Sequence, residues 1–445
     1  RDDIWDDESQ GKLFAYHQNY WNFLRNIPQG ISKSIPPMML NYSERLSTLK
    51  IALDAYPTSL RLLNWIGYMS IHGGNFTAEQ QDTLINSIYS QWLYLAKNIE
   101  YHLGGNHLLE NYISLVAGAV FFQEQNMIYT NAKRLDRELK AQLCSDGGHV
   151  ERSPMYHQLL LVRLLDLYNL SKSFSIDPLM KGLKPYIERM LAWLSNMTLS
   201  TGEIPLANDS FLGQAPTTQD ILSYANAMGI TPHTSRLTTP LSDSGYRLIC
   251  QKELELFIDI GPVGPNEQPG HAHADTLQVL LWRKGVPILV DSGTSTYEPG
   301  PLRDFQRSTK AHNTVVIDDK DSSEVWGAFR VGRRAEAEIL SESSSHITAA
   351  HNGYVGCAHE RKVEWGQQSI IITDRVQASV GKKKVAYFHF HPDANAILLS
   401  ESISFKGASE IVFSDYDYAD HYGKTVPAKV LSVQFEDVLI TTISL

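Results

Sequence analysis

Two histidines stand one residue apart in PGHAHADT (Pro269 to Thr276), just ahead of the apolar run LQVLLW. Side chains two apart on an extended chain point to the same side, so His271 and His273 can serve one locality. Asp291, in PILVDSGTSTYEPG, comes 18 residues after His273, and His312, in STKAHNTVVID, comes 21 after that. Two imidazoles and a carboxylate make a nitrogen and oxygen set that suits Zn²⁺. Asp275 is a candidate to orient a ligating histidine from behind. Spacing this wide is equally compatible with histidines that are satisfied core or surface residues.

A second constellation is CSDGGHVERSPMYHQ (144 to 158), a glycine-rich loop ahead of a helix that Pro154 is placed to open. Tyr156 then falls in the first turn, where unpaired N–H groups create a positive potential that would help a phenolate. Glu151, Arg152 and His157 flank it. A third is GGNHLLEN (104 to 111), in which Asn106 reads as an N-cap. His107 and Glu110 lie three apart on one helical face, as a site or as a solvated pair beside a cap. The triplet NDS (208 to 210) either reaches a site or caps a helix. LRDFQRSTK (302 to 310) sets Arg303, Arg307 and Lys310 near His312, and FRVGRR adds Arg330, Arg333 and Arg334. Such clusters form a solvated face or, given the fork geometry of arginine, bind carboxylate or sulfate groups. GKKK (381 to 384) reads as a hairpin turn.

The elements that must position these residues change character along the chain. Up to about residue 230 apolar residues recur at i, i+3, i+4 and i+7, for example over 59–73, 80–102, 106–122 and 156–174. Short links between them suggest helical hairpins. Frequent aromatics there, as in YHQNYWNFL and YSQWLYL, read as core packing or as sugar-stacking platforms. After about residue 240 the period becomes two, in short β-branched runs such as YRLICQ, ELELFIDIG, QSIIITDRV and KKVAYFHFHP. FEDVLITTISL closes the sequence as a further strand. This predicts an α+β multidomain chain: a helical domain over 1–238 and an antiparallel β-sandwich over 239–445, joined by a linker within 229–245.

A chain of 445 residues is long enough for two or three domains with real interiors. With 39 basic and 49 acidic residues its formal charge is −10, which argues against nucleic acid as a partner. A locally basic cleft still accommodates a polyanion. Cys144, Cys250 and Cys357 are too few and too scattered for a disulfide framework or a cysteine-based zinc site. No run approaches the roughly 18 apolar residues of a membrane span. The sequence starts at Arg1, so a targeting peptide could precede it.

Taken together, GGNHLLEN, DGGHVERSPMYHQ, PGHAHADTLQVLLWRKGVPILVDSGT and RSTKAHNTVVID occur in an order that resembles the heparinase II/III superfamily of polysaccharide lyases. The resemblance runs from about residue 60 to 340 and is strongest from 269 to 318. It implies an (α/α) toroid of helical hairpins followed by an antiparallel β-sandwich, with the active site in the cleft between them. It also implies Asn106, His107, Tyr156 and His271 as catalytic residues, and His273, Asp291 and His312 as ligands of a structural divalent metal, zinc ahead of calcium. Glu110, Arg152, Tyr297, Arg303 and Arg307 are expected to contact substrate; Tyr297 aligns more loosely, because the loop from 291 to 312 varies in length. The implied substrate is a uronate-containing anionic polysaccharide, and the implied location periplasmic or secreted.

The implied reaction, β-elimination, suits these residue types. It removes the C5 proton beside the uronate carboxylate and expels the oxygen at C4. Asn106 and His107 would neutralise the carboxylate, and a preorganised donor of this kind is typically worth ~2.7–4 kcal/mol. Tyr156 and His271 have proton affinities suited to acid and base work. For syn elimination Tyr156 could do both; for anti elimination His271 would be base and Tyr156 acid. Two other classes compete: a glycan-binding or assembly protein without turnover, and a zinc hydrolase. The last is disfavoured because no glutamate is clearly placed to activate a metal-bound water.

Overall fold

A computed structural model of the chain describes residues 4–9, 11–27, 30–232, 241–377, 381–394 and 402–444. The segment 233–240 of the expected linker lies outside the described residues. The first part is helical: α1 (Lys12–Tyr20), α2 (Ile35–Arg45), α3 (Ala55–His72), α4 (Ala78–Lys97), α5 (Gly105–Phe121), α6 (Gln125–Gln142), α7 (Pro154–Ser173), α8 (Asp177–Met197) and α9 (Thr218–Ala227). Strands follow: β1 (Tyr246–Gln251), β2 (Leu254–Asp259), β3 (Val279–Arg283) and β4 (Val286–Leu289). After the short helix α10 (Pro301–Arg307) come β5 (Val315–Ile317), β6 (Val325–Trp326), β7 (Arg330–Val331), β8 (Ala337–Glu342) and β9 (His346–Tyr354). The remaining strands are β10 (Cys357–Trp365), β11 (Ser369–Gln377), β12 (Lys384–His389), β13 (Ile403–Tyr418) and β14 (Val426–Ser444). No helix among the described residues is long and apolar enough to cross a membrane.

The chain divides into two compact units that do not follow the change in periodicity. One comprises Arg1–Gln142, Leu160–Glu188 and Tyr224–Thr231; the other comprises Leu143–Leu159, Arg189–Ser223 and Pro232–Leu445. The first turn of α7, with Tyr156, and the loop of Asn208–Ser210 therefore cluster with the strands, because packing rather than local periodicity decides which segments cohere.

In the helical unit α3 and α5 are buried on nearly every face, as inner helices of a bundle must be. Gly118 makes this packing possible: a Cβ there would run into the indole of Trp92, whose Nε1 donates to the Leu115 carbonyl at 3.0 Å. The start of α4 is fixed by a capping box in which Thr77 and Gln80 satisfy each other's backbone N–H. α5 begins differently from the expectation. Gly104 is its N-cap, and Gly104 and Gly105 take φ of 62° and 51°, a left-handed entry that glycine adopts without penalty. Asn106 is therefore inside the first turn.

In the second unit β1 to β4 form one antiparallel sheet in sequence order. A larger sheet has the order β5-β12-β14-β11-β10-β9-β8, and β13 pairs along β14. Strand β14 is its spine. One edge holds β12 at residues 430–435 and β11 at 438–444, and the other holds β13. β11 and β12 thus both pair with β14, so the lysines before β12 do not form a hairpin turn. Burial alternates along β9, β10 and β11, placing Ile347, Ala349, Val363, Ile370 and Ile372 in one core with β2 and β3.

That core contains one charged network. Asp374 accepts from His359 Nε2 at 2.8 Å and from Arg361 Nε and Nη2 at 2.7 and 3.1 Å, all buried. Burial would raise the Asp374 carboxyl, but Arg361 and His359 hold it down at about 2. Arg361 Nη1 donates onward to the carbonyls of Leu277 and Asn313 at 2.7 and 2.6 Å. Those residues follow His273 and His312, so the sheet grips the two segments that present the histidines.

Candidate functional site

The site in the strand-containing unit is organised around Asp209. Its Oδ2 accepts from His271 Nδ1 at 2.9 Å and its Oδ1 from His273 Nε2 at 2.9 Å. Arg303 donates to both oxygens, at 2.5 and 2.7 Å, a bidentate pairing that fixes the carboxylate plane. Asp209 and Arg303 are both fully buried. Burial raises the Asp209 carboxyl, but Arg303 and the two imidazoles outweigh it and hold the group well below the usual range. An ionised carboxylate only accepts, so each histidine carries its proton on the nitrogen facing Asp209. His271 Nε2 and His273 Nδ1 are left with lone pairs.

Asp209 is held by the loop around it. Ser153 caps α7, its Oγ accepting from the Tyr156 N–H at 3.1 Å while donating to the Asp209 carbonyl at 2.7 Å. Asn208, at φ 54°, accepts from the His273 N–H at 2.9 Å and donates to the Arg152 carbonyl. Arg152 is itself left-handed at φ 57°, and Tyr246 donates to the same carbonyl. Non-glycine residues in this region carry a conformational cost, and they persist where surrounding bonds over-determine them.

Tyr156 stands against His271, ring centres 4.1 Å apart, and its hydroxyl is 3.2 Å from that of Tyr297. Tyr156 is half-buried and His271 keeps 16% of its side-chain surface exposed, so both are reachable from solvent. Burial and the neighbouring Tyr297 push the Tyr156 phenol well above its ordinary value. It is therefore a neutral proton donor at rest. Phe329 completes the wall, 5.8 Å from His271 and 5.4 Å from Tyr297 between ring centres.

The three expected metal ligands are also close together, in an unexpected arrangement. The rings of His273 and His312 are 5.3 Å apart, both fully buried, and His273 Nδ1 and His312 Nε2 have no hydrogen-bond partner. Two buried, unpartnered imidazole nitrogens are what a metal such as zinc would take, displacing any proton on them. Asp291 does not stand as a third free donor: its Oδ2 is 2.8 Å from His312 Nδ1 and its Oδ1 accepts from the Gly293 N–H. Among the described residues no group of three or more histidine, cysteine or carboxylate side chains is placed to hold a metal. Asp275 does not orient His273, a part that Asp209 takes. Asp275 instead lies with Asp259 as a buried carboxyl pair, and burial pushes it up to about 6.

Several basic residues depart from the expectation. Arg152, Arg303 and Arg307 are buried and satisfied inside the protein, so their heads do not face an incoming anion. Arg152 donates to the Ser244 and Val150 carbonyls. Arg307 donates to the carbonyls of Ala272, Gly327 and Arg330. In the helical unit His107 Nδ1 lies 3.2 Å from Glu100 Oε2 rather than on Glu110, and its ring packs on Tyr56 at 4.3 Å. Glu110 is buried, 3.6 Å from Arg163 Nε.

With this geometry in hand, comparison with known proteins is specific. The description "Heparinase II/III N-terminus" matches residues 58–237 and "Heparinase II/III-like, C-terminal" matches 233–429. The chain belongs to the heparinase II/III superfamily. It is 24% identical over 423 residues to a heparin-sulfate lyase of Pedobacter heparinus, covering 88% of this chain and 60% of that one. A heparin-sulfate lyase of Bacteroides stercoris is 22% identical over 321 residues, 64% of this chain and 46% of that one. The chain thus spans about half to three fifths of the length of these relatives. A crystal structure of heparinase III superposes with a TM-score of 0.75 at 15% identity, covering 97% of this chain and 76% of that one. The fold is therefore that of the heparinase III lyases, helical hairpins followed by antiparallel sheets.

Within this heparinase II/III chain, Asp209 is the residue that sequence reading undervalued; its signal was only a polar triplet in a loop between apolar segments. Asp209→Asn is expected to cost about 3–5 kcal/mol, because the Arg303 guanidinium is left buried without its carboxylate. Thermal melting checks this, and Asp209→Asn combined with Arg303→Met should recover part of the loss. A single variant that melts like the parent would refute the central role of this carboxylate. Glu110 gives a pH prediction. Burial, only partly opposed by Arg163, raises its carboxyl from 4.5 to about 7. The folded state thus favours the neutral acid, so this stabilisation is complete below pH 4.5 and is lost as pH rises through about 7. The helical signal should lose roughly 3 kcal/mol of stability over that window, and Glu110→Gln should flatten the dependence.

Proposed function

We propose that this chain is a polysaccharide lyase that cleaves a uronate-containing anionic glycan by β-elimination, leaving a 4,5-unsaturated uronate end. The observation that carries the reading is the pairing of Tyr156 with His271, a neutral phenol against an imidazole whose Nδ1–H is committed to Asp209. His271 Nε2 takes the C5 proton, the electron pair forms the C4–C5 double bond, and the C4–O bond breaks. Tyr156 donates its hydroxyl proton to the leaving oxygen. Base and acid on different residues match anti elimination. The family pattern gives Asn106 and His107 the task of neutralising the uronate carboxylate. A periplasmic or secreted location follows from such a substrate.

The names of the curated relatives support a glycosaminoglycan as substrate. Incubation with heparan sulfate, hyaluronan, chondroitin, alginate and bacterial capsular glycans should give ultraviolet absorbance from the unsaturated uronate with at least one of them. Silence across that panel would sink the proposal. Tyr156→Phe should lower turnover by roughly 10²–10⁴-fold, as expected for loss of a general acid, with binding retained.

We further propose a structural divalent metal, zinc ahead of calcium, since the free donors are imidazole nitrogens. His273 and His312 would hold it, with Asp291 beside them. When bound, it would tie the segment carrying His271 and His273 to the loop carrying His312. Elemental analysis should then find about one zinc per chain, and chelation should lower the melting temperature by several degrees. Metal-free protein with unchanged melting would remove the metal from the account.

A further inference from the structure

The two-stranded ribbon β6–β7 has no part in the chemistry above, yet it is built next to it. Val325 pairs with Val331 and Trp326 with Arg330, and the turn of Gly327, Ala328 and Phe329 joins them. A ribbon this short is not stable by itself in water. It is held by two buried guanidiniums. Arg303 donates to the Ala328 carbonyl at 3.1 and 2.9 Å, and Arg307 to those of Gly327 and Arg330 at 3.0 and 3.2 Å. Since Arg303 also grips Asp209, the ribbon and His271 share one anchor.

While its backbone is secured inward, the ribbon turns its aromatic surface outward. Phe329 is 44% and Trp326 50% exposed. Each is seated on a glycine: a Cβ on Gly270 would meet Phe329 Cβ at 3.4 Å, and one on Gly332 would meet the Trp326 ring at 3.1 Å. Phe329 touches the exposed edge of the site through His271 and Tyr297. Arg330, opposite Trp326, is exposed, and its guanidinium has no hydrogen-bond or ion-pair partner among the described residues. Arg333 and Arg334, by contrast, donate to backbone carbonyls. Large aromatics held exposed beside a reactive group, with an unpaired guanidinium, mark a ligand surface.

We propose that β6–β7 is a sugar-binding subsite in which Phe329 and Trp326 stack on the apolar C–H faces of successive pyranose rings and Arg330 binds a carboxylate or sulfate on them. The assignment rests on the lyase reading for the class of ligand. It places the subsite adjacent to the unit being cleaved, so that it senses chain length and charge and not the bond-breaking step.

The test compares the parent with Trp326→Ala, Phe329→Leu and Arg330→Ala, using as probes size-fractionated heparan sulfate hexasaccharide and a disaccharide whose hexosamine is linked to O4 of the uronate. Turnover is followed by unsaturated-uronate absorbance, and binding by tryptophan fluorescence and calorimetry. Trp326→Ala is expected to raise KM for the hexasaccharide about tenfold, in line with the loss of one stacked ring, with kcat within twofold and disaccharide KM unchanged. Arg330→Ala should flatten the dependence of hexasaccharide KM on salt. Parental KM and salt dependence in all three variants, in a chain that turns the hexasaccharide over, overturn the subsite and leave the lyase reading standing. Binding without turnover of this or any glycan of the panel overturns the lyase reading, and the subsite is then judged by the variants' Kd for the hexasaccharide. A parent that neither binds nor cleaves it overturns the subsite, and the lyase reading falls with it only if the whole glycan panel is silent as well. Unchanged melting temperatures separate these outcomes from misfolding, and Phe329→Leu keeps apolar contact with His271 should larger truncation unfold the turn.

Discussion

One buried carboxylate carries more structural obligations than any other group near the site. Asp209 has given up its water, a loss of several kcal/mol for an ion, and a bidentate guanidinium, two imidazole N–H groups and, at 3.4 Å, the Thr294 hydroxyl offset that loss. Its lone pairs are fully used, so the carboxylate cannot rotate to suit one partner without abandoning another. The protonation pattern of His271 and His273 follows from this constraint, because both must donate to the same ionised acceptor. So does the seat of the β6–β7 ribbon, through the other hydrogen bonds of Arg303.

Below that hub lies a second, independent tie. Arg361 couples the Asp374 carboxylate in the sheet to the carbonyls of Leu277 and Asn313. A rigid sandwich is thereby extended into the irregular segments that follow β2 and precede β5, where left-handed Leu277 would otherwise relax. Loops that carry function need such support, since their own backbone hydrogen bonds are too few to fix them. The pairing of a low-energy scaffold with a strained rim is the arrangement expected where geometry matters more than local stability.

Much of this was legible in the residues. Period-3.6 and period-2 patterning located α3, α4, α5 and α7 and most of the strands, because burial of one face leaves that signature directly. Pro154 announced the start of α7 and hence the position of Tyr156. The clustering of His273, Asp291 and His312 was also anticipated, although Asp291 serves His312. What could not be read were partners distant in sequence: Asp209 lies 62 residues from His271 and 94 from Arg303. Arginine was misread for the same reason. A guanidinium in a polar stretch looks like surface charge until the fold shows the carbonyls around it, as for Arg152 and Arg307.

The position of β14 in the sheet sets the order in which that sheet can assemble. Its partners β11, β12 and β13 all precede it in sequence, and β12 reaches β11 only through it. During synthesis these strands leave the ribosome with open hydrogen-bonding edges that nothing yet occupies, a state that invites association with other chains. Completion of the sheet therefore waits on the last strand of the described chain, and β11, β12 and β13 each keep an open edge until β14 is made.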